Sequence, residues 1–297
     1  MKEQLKQKRD LVTPGHYGCP GCGGALAMRQ TLSVLGEDTI AVLTASCWTS
    51  MIGIFPYTCL TVPVMSVAFG TAAATAAGVK ASLIAQDNNH TTVLAWAGDG
   101  GTFDIGLQGL SGAVERNDDI LYICYDNEAY MNTGMQRSSA TPAGGWTTTT
   151  PESAPKKQRK KNIVEIMAAH RIPYAATACI GAPDDLKNKI KKAKDIKGSR
   201  FIHIFASCPT GWRHASELSI EVGREAIRSR VFPLYEVFNG DTWQLSPMPD
   251  KTSVDAYLKH QGRFKQILDG ANEYFQKQVD DDWQRLQNRC QPPKVTG

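Results

Sequence analysis

The chain has 297 residues, enough for one large α/β domain with a substantial core and no disulfide staples. A hydrophobic share of 42% and a charged share of 21% are ordinary for a globular protein. The net charge is only +4, with lysine and arginine scattered apart from the run Lys156–Lys161, which does not suggest a nucleic-acid binder. No stretch resembles a membrane span of about 20 apolar residues, since the most apolar region, Ile52 to Val79, is interrupted by Pro56 and Pro63.

The first residues, MKEQLKQKRDLVTPG, are polar and lack the apolar core of a signal peptide, so a cytoplasmic location is expected. Cys19-Pro20-Gly21-Cys22 then forms a C-x-x-C in a glycine-rich loop ahead of a helix over Ala25–Leu35. Thr39–Ala45 reads as a buried strand and runs into Cys47. Val62–Val67 reads as a second strand, and Thr71–Gln86 as a helix. Thr91–Ala97 is a third strand, followed directly by Gly98-Asp99-Gly100-Gly101 and a helix over Gly106–Arg116. Ile120–Tyr125 is a fourth strand and leads into Asp126-Asn127-Glu128-Ala129. Residues 138–162 carry proline, glycine, threonine and the basic run without periodicity, and read as a long loop. Ile163–His170 and Asp184–Lys194 are helices, and Tyr174–Cys179 and Phe201–Ala206 strands, the last followed by Cys208. Continuous apolar strands alternating with helices imply a mostly parallel sheet flanked by helices. Residues 1–245 make up that α/β domain. Residues 246–297 are a C-terminal extension with an interrupted helix over Val254–Leu286, expected to pack on a partner.

Two constellations carry chemistry. In parallel sheets ligands bind at the carboxyl ends of strands, where Gly98–Gly101 and Asp126–Ala129 both fall. Glycines let a phosphate approach the backbone, and an aspartate can bind a hard cation such as Mg²⁺. Taken alone, Gly98–Gly101 is more often a plain strand-to-helix turn. The two loops would meet if their strands were neighbours. There Asn127 would offer a second side-chain oxygen, and Ala129 a carbonyl.

The second constellation is sulfur. Of eight cysteines, Cys59, Cys124 and Cys179 lie in apolar surroundings and read as small buried residues. Cys19, Cys22, Cys47 and Cys208 suit a [4Fe–4S] cluster or zinc. A dithiol redox pair at Cys19/Cys22 and simple burial of all four are the other readings.

The Asp99–Asn127 pattern resembles the diphosphate motif of thiamine diphosphate enzymes, which begins Gly-Asp-Gly and ends at an asparagine nearly thirty residues later. The chain as a whole resembles the β subunit of pyruvate:ferredoxin oxidoreductases and their 2-oxoacid relatives. The resemblance rests on Gly15-His16 before Cys19-Pro20-Gly21-Cys22-Gly23, on Cys47, and on Gly98-Asp99-Gly100 leading to Phe103-Asp104-Ile105-Gly106. It continues through Tyr130-Met131-Asn132-Thr133-Gly134, Ala140-Thr141-Pro142, Cys208-Pro209-Thr210-Gly211-Trp212 and Pro233-Leu234-Tyr235-Glu236.

The resemblance implies a thiamine diphosphate-binding fold. Asp99, Asn127 and the Ala129 carbonyl would be Mg²⁺ ligands, and Gly98, Gly100 and Gly101 part of the cofactor site. Cys19, Cys22, Cys47 and Cys208 would ligate a [4Fe–4S] cluster. Asn132 would be the active-site asparagine, with Thr133 beside it a weaker candidate. His16 is weaker still, as a loop histidine more often sits at a surface or caps a turn. Gly101 departs from the pattern, since relatives often carry a bulkier residue there.

The implied reaction is oxidative decarboxylation of a 2-oxoacid in anaerobic metabolism. It yields CO₂ and usually an acyl-coenzyme A, with electrons passed to ferredoxin. Pyruvate is the first expectation; oxalate and other 2-oxoacids are open. The family's activating glutamate sits on a pyrimidine-binding domain that this chain lacks. A hetero-oligomer is therefore implied, with that domain and a ferredoxin-like cluster unit on partner subunits. Competing readings are a non-redox thiamine decarboxylase or synthase subunit and a zinc-stabilised assembly subunit. The run Lys156–Lys161 is expected to be a solvated charge run, or else a contact for an acidic ferredoxin, coenzyme A phosphates or a partner.

Overall fold

The computed structural model describes residues 10–268 and 272–291. The polar amino-terminal segment and the final proline-containing stretch expected from the sequence thus lie outside the described residues, apart from their inner ends.

The strands are β1 (Thr39–Thr44), β2 (Val64–Val67), β3 (Thr92–Gly98), β4 (Leu121–Asp126), β5 (Tyr174–Cys179), β6 (Arg200–Phe205), β7 (Tyr235–Phe238) and β8 (Thr242–Leu245). They form one eight-stranded sheet in the order β2-β1-β3-β4-β6-β5-β7-β8. All pairings from β2 to β5 are parallel, while β5–β7 and β7–β8 are antiparallel. The expected mostly parallel α/β sheet is thus present, with strand ends shifted by one or two residues.

The helices are α1 (Gly23–Leu35), α2 (Cys47–Met51), α3 (Ala72–Ala85), α4 (Leu107–Glu115), α5 (Ile163–Ala169), α6 (Pro183–Asp195), α7 (Pro209–Trp212), α8 (Ser219–Arg228), α9 (Asp255–Leu258), α10 (Lys265–Leu268) and α11 (Asn272–Cys290). Alternate residues of each central strand serve opposite faces. Leu94, Trp96, Ile123 and Ile202 pack with Met28 and Leu32 of α1 and Leu186 and Ile190 of α6. Val93, Ala95, Tyr122 and Phe201 pack with Ala76 of α3, Leu110 of α4 and Met167 of α5. Helix α6 shows why such segments form. Pro183 opens it, Asp184 and Asp185 lie in its first turn, and Lys192 and Lys194 in its last, matching the helix dipole.

Three features were not expected. Helix α8 supplies Val222 and Ala226 to a third cluster that covers the sheet's carboxyl end. The β7–β8 hairpin turns at Asn239 and Gly240, both at positive φ. Such an Asn-Gly pair is a recognised hairpin signal, masked here by strands of only four residues. Within residues 246–268 and 272–291, Tyr257, Phe264, Phe275 and Val279 join the same third cluster. The inner side of the C-terminal extension therefore rests on this chain's own domain. No helix among the described residues is long and apolar enough to cross a membrane.

Candidate functional site

Gly98 pairs with Tyr125 across β3 and β4, so the turns that follow the two strands lie side by side. After β3 the chain makes a wide helical turn over Gly100–Asp104, and the Thr102 hydroxyl donates to the Gly98 carbonyl at 2.8 Å. Asp99 is buried, and its Oδ2 accepts from the Ser138 hydroxyl at 2.5 Å. The Asn127 side-chain oxygen faces the Ala129 carbonyl oxygen and Asp99 Oδ1, each 3.0 Å away. Three oxygens facing one another repel. A cation among them removes the conflict, as does an amide turned to donate to both. Three convergent oxygens from two strand ends are the donor set that Mg²⁺ takes alongside phosphate oxygens, so the residues present fit that ion. The structure brings together the three expected Mg²⁺ ligands.

Burial, reinforced by the Asp126 carboxylate, pushes Asp99 well above the usual carboxylate range; Ser138 and Lys160 offset this only in part. Burial would likewise raise Asp126, but Lys160 and His203 outweigh it and hold that carboxyl at about 2. His203 Nε2 lies 2.7 Å from Asp126. Glu128, at φ +62°, turns its buried side chain to Lys160 at 2.7 Å and to Arg263 at 2.6 Å.

The basic run is solvated only in part. Lys156 is buried and donates to main-chain carbonyls, including that of Thr141. Lys160 pairs with Asp126 and Glu128. Lys161 donates to the Phe103 carbonyl. Lys157, Gln158 and Arg159 stay exposed, and Arg159 pairs with Asp281 and Asp282 of α11. The buried carboxylates of Asp126 and Glu128 draw Lys160 inward, since a buried charge requires a partner. The segment 156–161 thus fastens both strand-end turns. Lys160→Met is expected to lower unfolding stability by about 3 kcal/mol, the low end for breaking a buried pair, because His203 and Arg263 still hold the two carboxylates. Urea denaturation of both proteins checks this.

A cavity of about 310 Å³ opens in front of the two turns, lined among others by Cys47, Asp99, Gly100, Gly101, Asn127 and Asn132. At Gly100 a Cβ would meet the Tyr130 ring at 2.5 Å, so a side chain there would displace a wall. At Gly101 a Cβ would stand 3.3 Å from Phe69 and 3.4 Å from Thr44 Oγ1. The Phe69 ring thus occupies the space a bulkier residue would use. Asn132 is exposed at the cavity edge and donates weakly to Ser50 Oγ at 3.4 Å. Thr133 also lines the cavity, with its hydroxyl turned to Gln136. His16 lies apart from it, where its Nδ1 accepts from the Gly18 N–H at 3.1 Å, the turn-capping role.

The four candidate cysteines converge on the same end of the sheet. Cys22 precedes α1, Cys47 opens α2 just past β1, and Cys208 caps α7 past β6. The Gly23 N–H donates to the Ser207 carbonyl at 3.0 Å, and the Ser219 hydroxyl to the Gly21 carbonyl at 2.6 Å. These bonds pin the C-x-x-C loop beside Cys208. Burial pushes the Cys47 thiol up to about 12, helped by the charges of Cys208, Cys22 and Cys19. The Cys208 thiol is pushed to about 11, again by burial first, with Cys22 and Cys19 adding to it. The four sulfurs share one electrostatic neighbourhood. Among the described residues, no three His, Cys, Asp or Glu side chains are gathered closely enough to hold a single metal ion. An iron–sulfur cube spreads its four thiolates over four irons, whereas zinc draws them to about 2.3 Å from one centre. Four thiolates are a donor type that either group takes. The turn carrying Cys208 also reaches the oxygen site, since Trp212 Nε1 donates to the Asn127 carbonyl at 2.7 Å. Cys59, Cys124 and Cys179 are buried elsewhere, as expected.

Ser138, Glu128, Lys160, His203 and Arg263 were missed from the sequence. Arg263 stands 135 positions from Glu128, and no local signal connects them.

The family described as thiamine pyrophosphate enzyme, C-terminal TPP binding domain, matches residues 44–204. That span includes Cys47, Asp99, Asn127 and Ala129, and leaves out Cys19, Cys22 and Cys208. Ketoisovalerate oxidoreductase subunit VorB of Pyrococcus horikoshii is 46% identical over 92% of this chain and 91% of that protein. Pyruvate synthase subunit PorB of Methanothermobacter marburgensis is 44% identical over 94% of this chain and 98% of that protein. Among solved structures, a 2-oxoglutarate:ferredoxin oxidoreductase from Magnetococcus marinus aligns over 97% of both chains, with a TM-score of 0.60 and 22% identity. At that identity the likeness is one of fold.

Proposed function

The chain belongs to the thiamine pyrophosphate enzymes, together with the PorB and VorB subunits of 2-oxoacid:ferredoxin oxidoreductases, and from that premise we propose that it binds thiamine diphosphate, Mg²⁺ and one [4Fe–4S] cluster. The proposed substrate is pyruvate. Ketoisovalerate is the alternative, brought by relatives of that name. Products would be CO₂ and an acyl-coenzyme A, with electrons leaving to ferredoxin. Residues 1–245 would form the cofactor domain in the cytoplasm. The outer face of residues 246–297 would meet a partner subunit.

The observation that carries the reading is the cavity itself: Asp99 and Asn127 stand in its wall together with Cys47. A hard-cation site and a cluster thiolate would then face one bound molecule. Thiamine diphosphate supplies the electron sink for decarboxylation, and the cluster takes electrons one at a time. This chain's residues do the positioning. Asp99, Asn127 and the Ala129 carbonyl would hold Mg²⁺ against the diphosphate. Gly100 and Gly101 line the cavity without side chains and let the Tyr130 and Phe69 rings close in on them, and Asn132 stands at the cavity edge where the reacting carbons would lie. The four cysteines would anchor the cluster behind Cys47. The glutamate that activates the aminopyrimidine would come from a partner subunit, as would further clusters.

The test is iron, acid-labile sulfide, zinc and thiamine analysis of the complex purified without oxygen, followed by a 2-oxoacid panel. Iron and sulfide in cluster proportion with thiamine is the expected result. Zinc without iron would return the case to an assembly subunit. Thiamine without iron would indicate a non-redox thiamine enzyme.

A further inference from the structure

A second cavity, of about 340 Å³, lies under α11 against the ends of β6 and β7 and shares no lining residue with the first. Five lysine and arginine side chains line it against two carboxylates, together with Phe232, Tyr235 and Trp283. Four of those cations face a carboxylate: Arg159, Lys160, Lys161 and Arg285. Arg230 does not. Its guanidinium donates to the main-chain carbonyls of Ile227, Arg228 and Pro249. Its Nε has no acceptor, and among the described residues it joins no ion pair.

Arg230 is only 9% exposed. Asp250 acts on it only from beyond ion-pair distance, and a buried charge with no carboxylate in contact is costly. Lysine can escape by shedding its proton, but a guanidinium cannot. The Trp283 ring, 5.1 Å from the guanidinium carbon, offsets part of the cost. Arg230 also adopts a left-handed backbone, φ +64°. Strain of that kind in a residue other than glycine persists only where the surroundings hold it. A buried guanidinium on a cavity wall, with no carboxylate in contact and aromatic neighbours, suits an anion that has an apolar body.

We propose that this cavity is a second ligand site, which takes an organic anion of mononucleotide size. Its phosphate or carboxylate lies toward Arg230 and its ring along Phe232, Tyr235 and Trp283. The same wall carries Lys160 and Lys161, which fasten the turns of the first cavity. The site does not rest on the cluster or on the substrate proposed above.

The experiment uses the intact complex loaded with thiamine diphosphate, so that its diphosphate site is filled. AMP, phenylacetate and uncharged adenosine are titrated calorimetrically, with hydrogen exchange followed over residues 279–286. The expected result is binding of AMP or phenylacetate but not adenosine, with slowed exchange in that segment. Arg230→Met and Trp283→Leu should each weaken binding about tenfold or more. Binding of AMP alone identifies a phosphate ligand, and of phenylacetate alone a carboxylate. Should Arg230→Met fail to assemble, Trp283→Leu decides. No binding by either anion, or binding unchanged by the variants that assemble, overturns the site.

Discussion

Asp99→Asn is expected to lower the affinity for thiamine diphosphate in the presence of Mg²⁺ by more than about 100-fold. Even outer partners of a metal ligand cost 10- to 100-fold in affinity, and this substitution removes the charged ligand itself. The apo fold should survive. Asp99 is buried beside a second carboxylate, Asp126, and the Ser138 hydroxyl donates to it. An amide of the same shape removes the repulsion from Asp126 and still accepts from Ser138. Apo Asp99→Asn is therefore expected to melt at or above the temperature of the apo wild type. Ligand titration with thermal melts of apo and loaded protein separates the two effects. Unchanged affinity would mean that Asp99 holds no cation. A lost apo fold would mean that its role is structural.

The contrast between the two cofactor turns and the segment that fastens them shows what a sequence can and cannot reveal. Buried parallel strands announce themselves as apolar runs, so β3 and β4 were legible, and the residues just past each strand had to lie at the ligand edge. The spacing of Asp99 and Asn127 required only that the strands be neighbours, and Gly98 pairs with Tyr125. Lys156–Lys161 was read as solvated because a run of cations without periodicity carries no information about distant acids. The acids that hold Lys160 are Asp126 and Glu128, both buried. Those two acids sit at the end of β4 and in the turn after it, a place the sequence offers for its ligands rather than for the charges it leaves inside. A buried turn rich in carboxylates was itself a sign that cations would be drawn to it. The place of Arg263 beside Glu128 could not be found this way, since it depends on how the C-terminal extension folds back.

Cys47→Ala is expected to remove the near-thiamine cluster signal and to drop ferredoxin reduction to background, while thiamine diphosphate still binds. Cys47 stands in the wall of the first cavity, yet Asp99, Asn127 and Ala129 come from other strand ends. Losing its sulfur should therefore leave the Mg²⁺ oxygens where they are. The other three thiolates cannot complete a four-thiolate cluster alone. The control is Cys124→Ala, which shortens a buried side chain within the core. It should cost stability through the small cavity it leaves without altering iron, sulfide or electron transfer. Electron paramagnetic resonance and bound-thiamine analysis of both variants, prepared without oxygen, make the comparison. A retained cluster signal in Cys47→Ala would remove Cys47 from the ligand set. Parallel loss of thiamine and cluster would mean instead that the thiol side chain shapes the cavity wall.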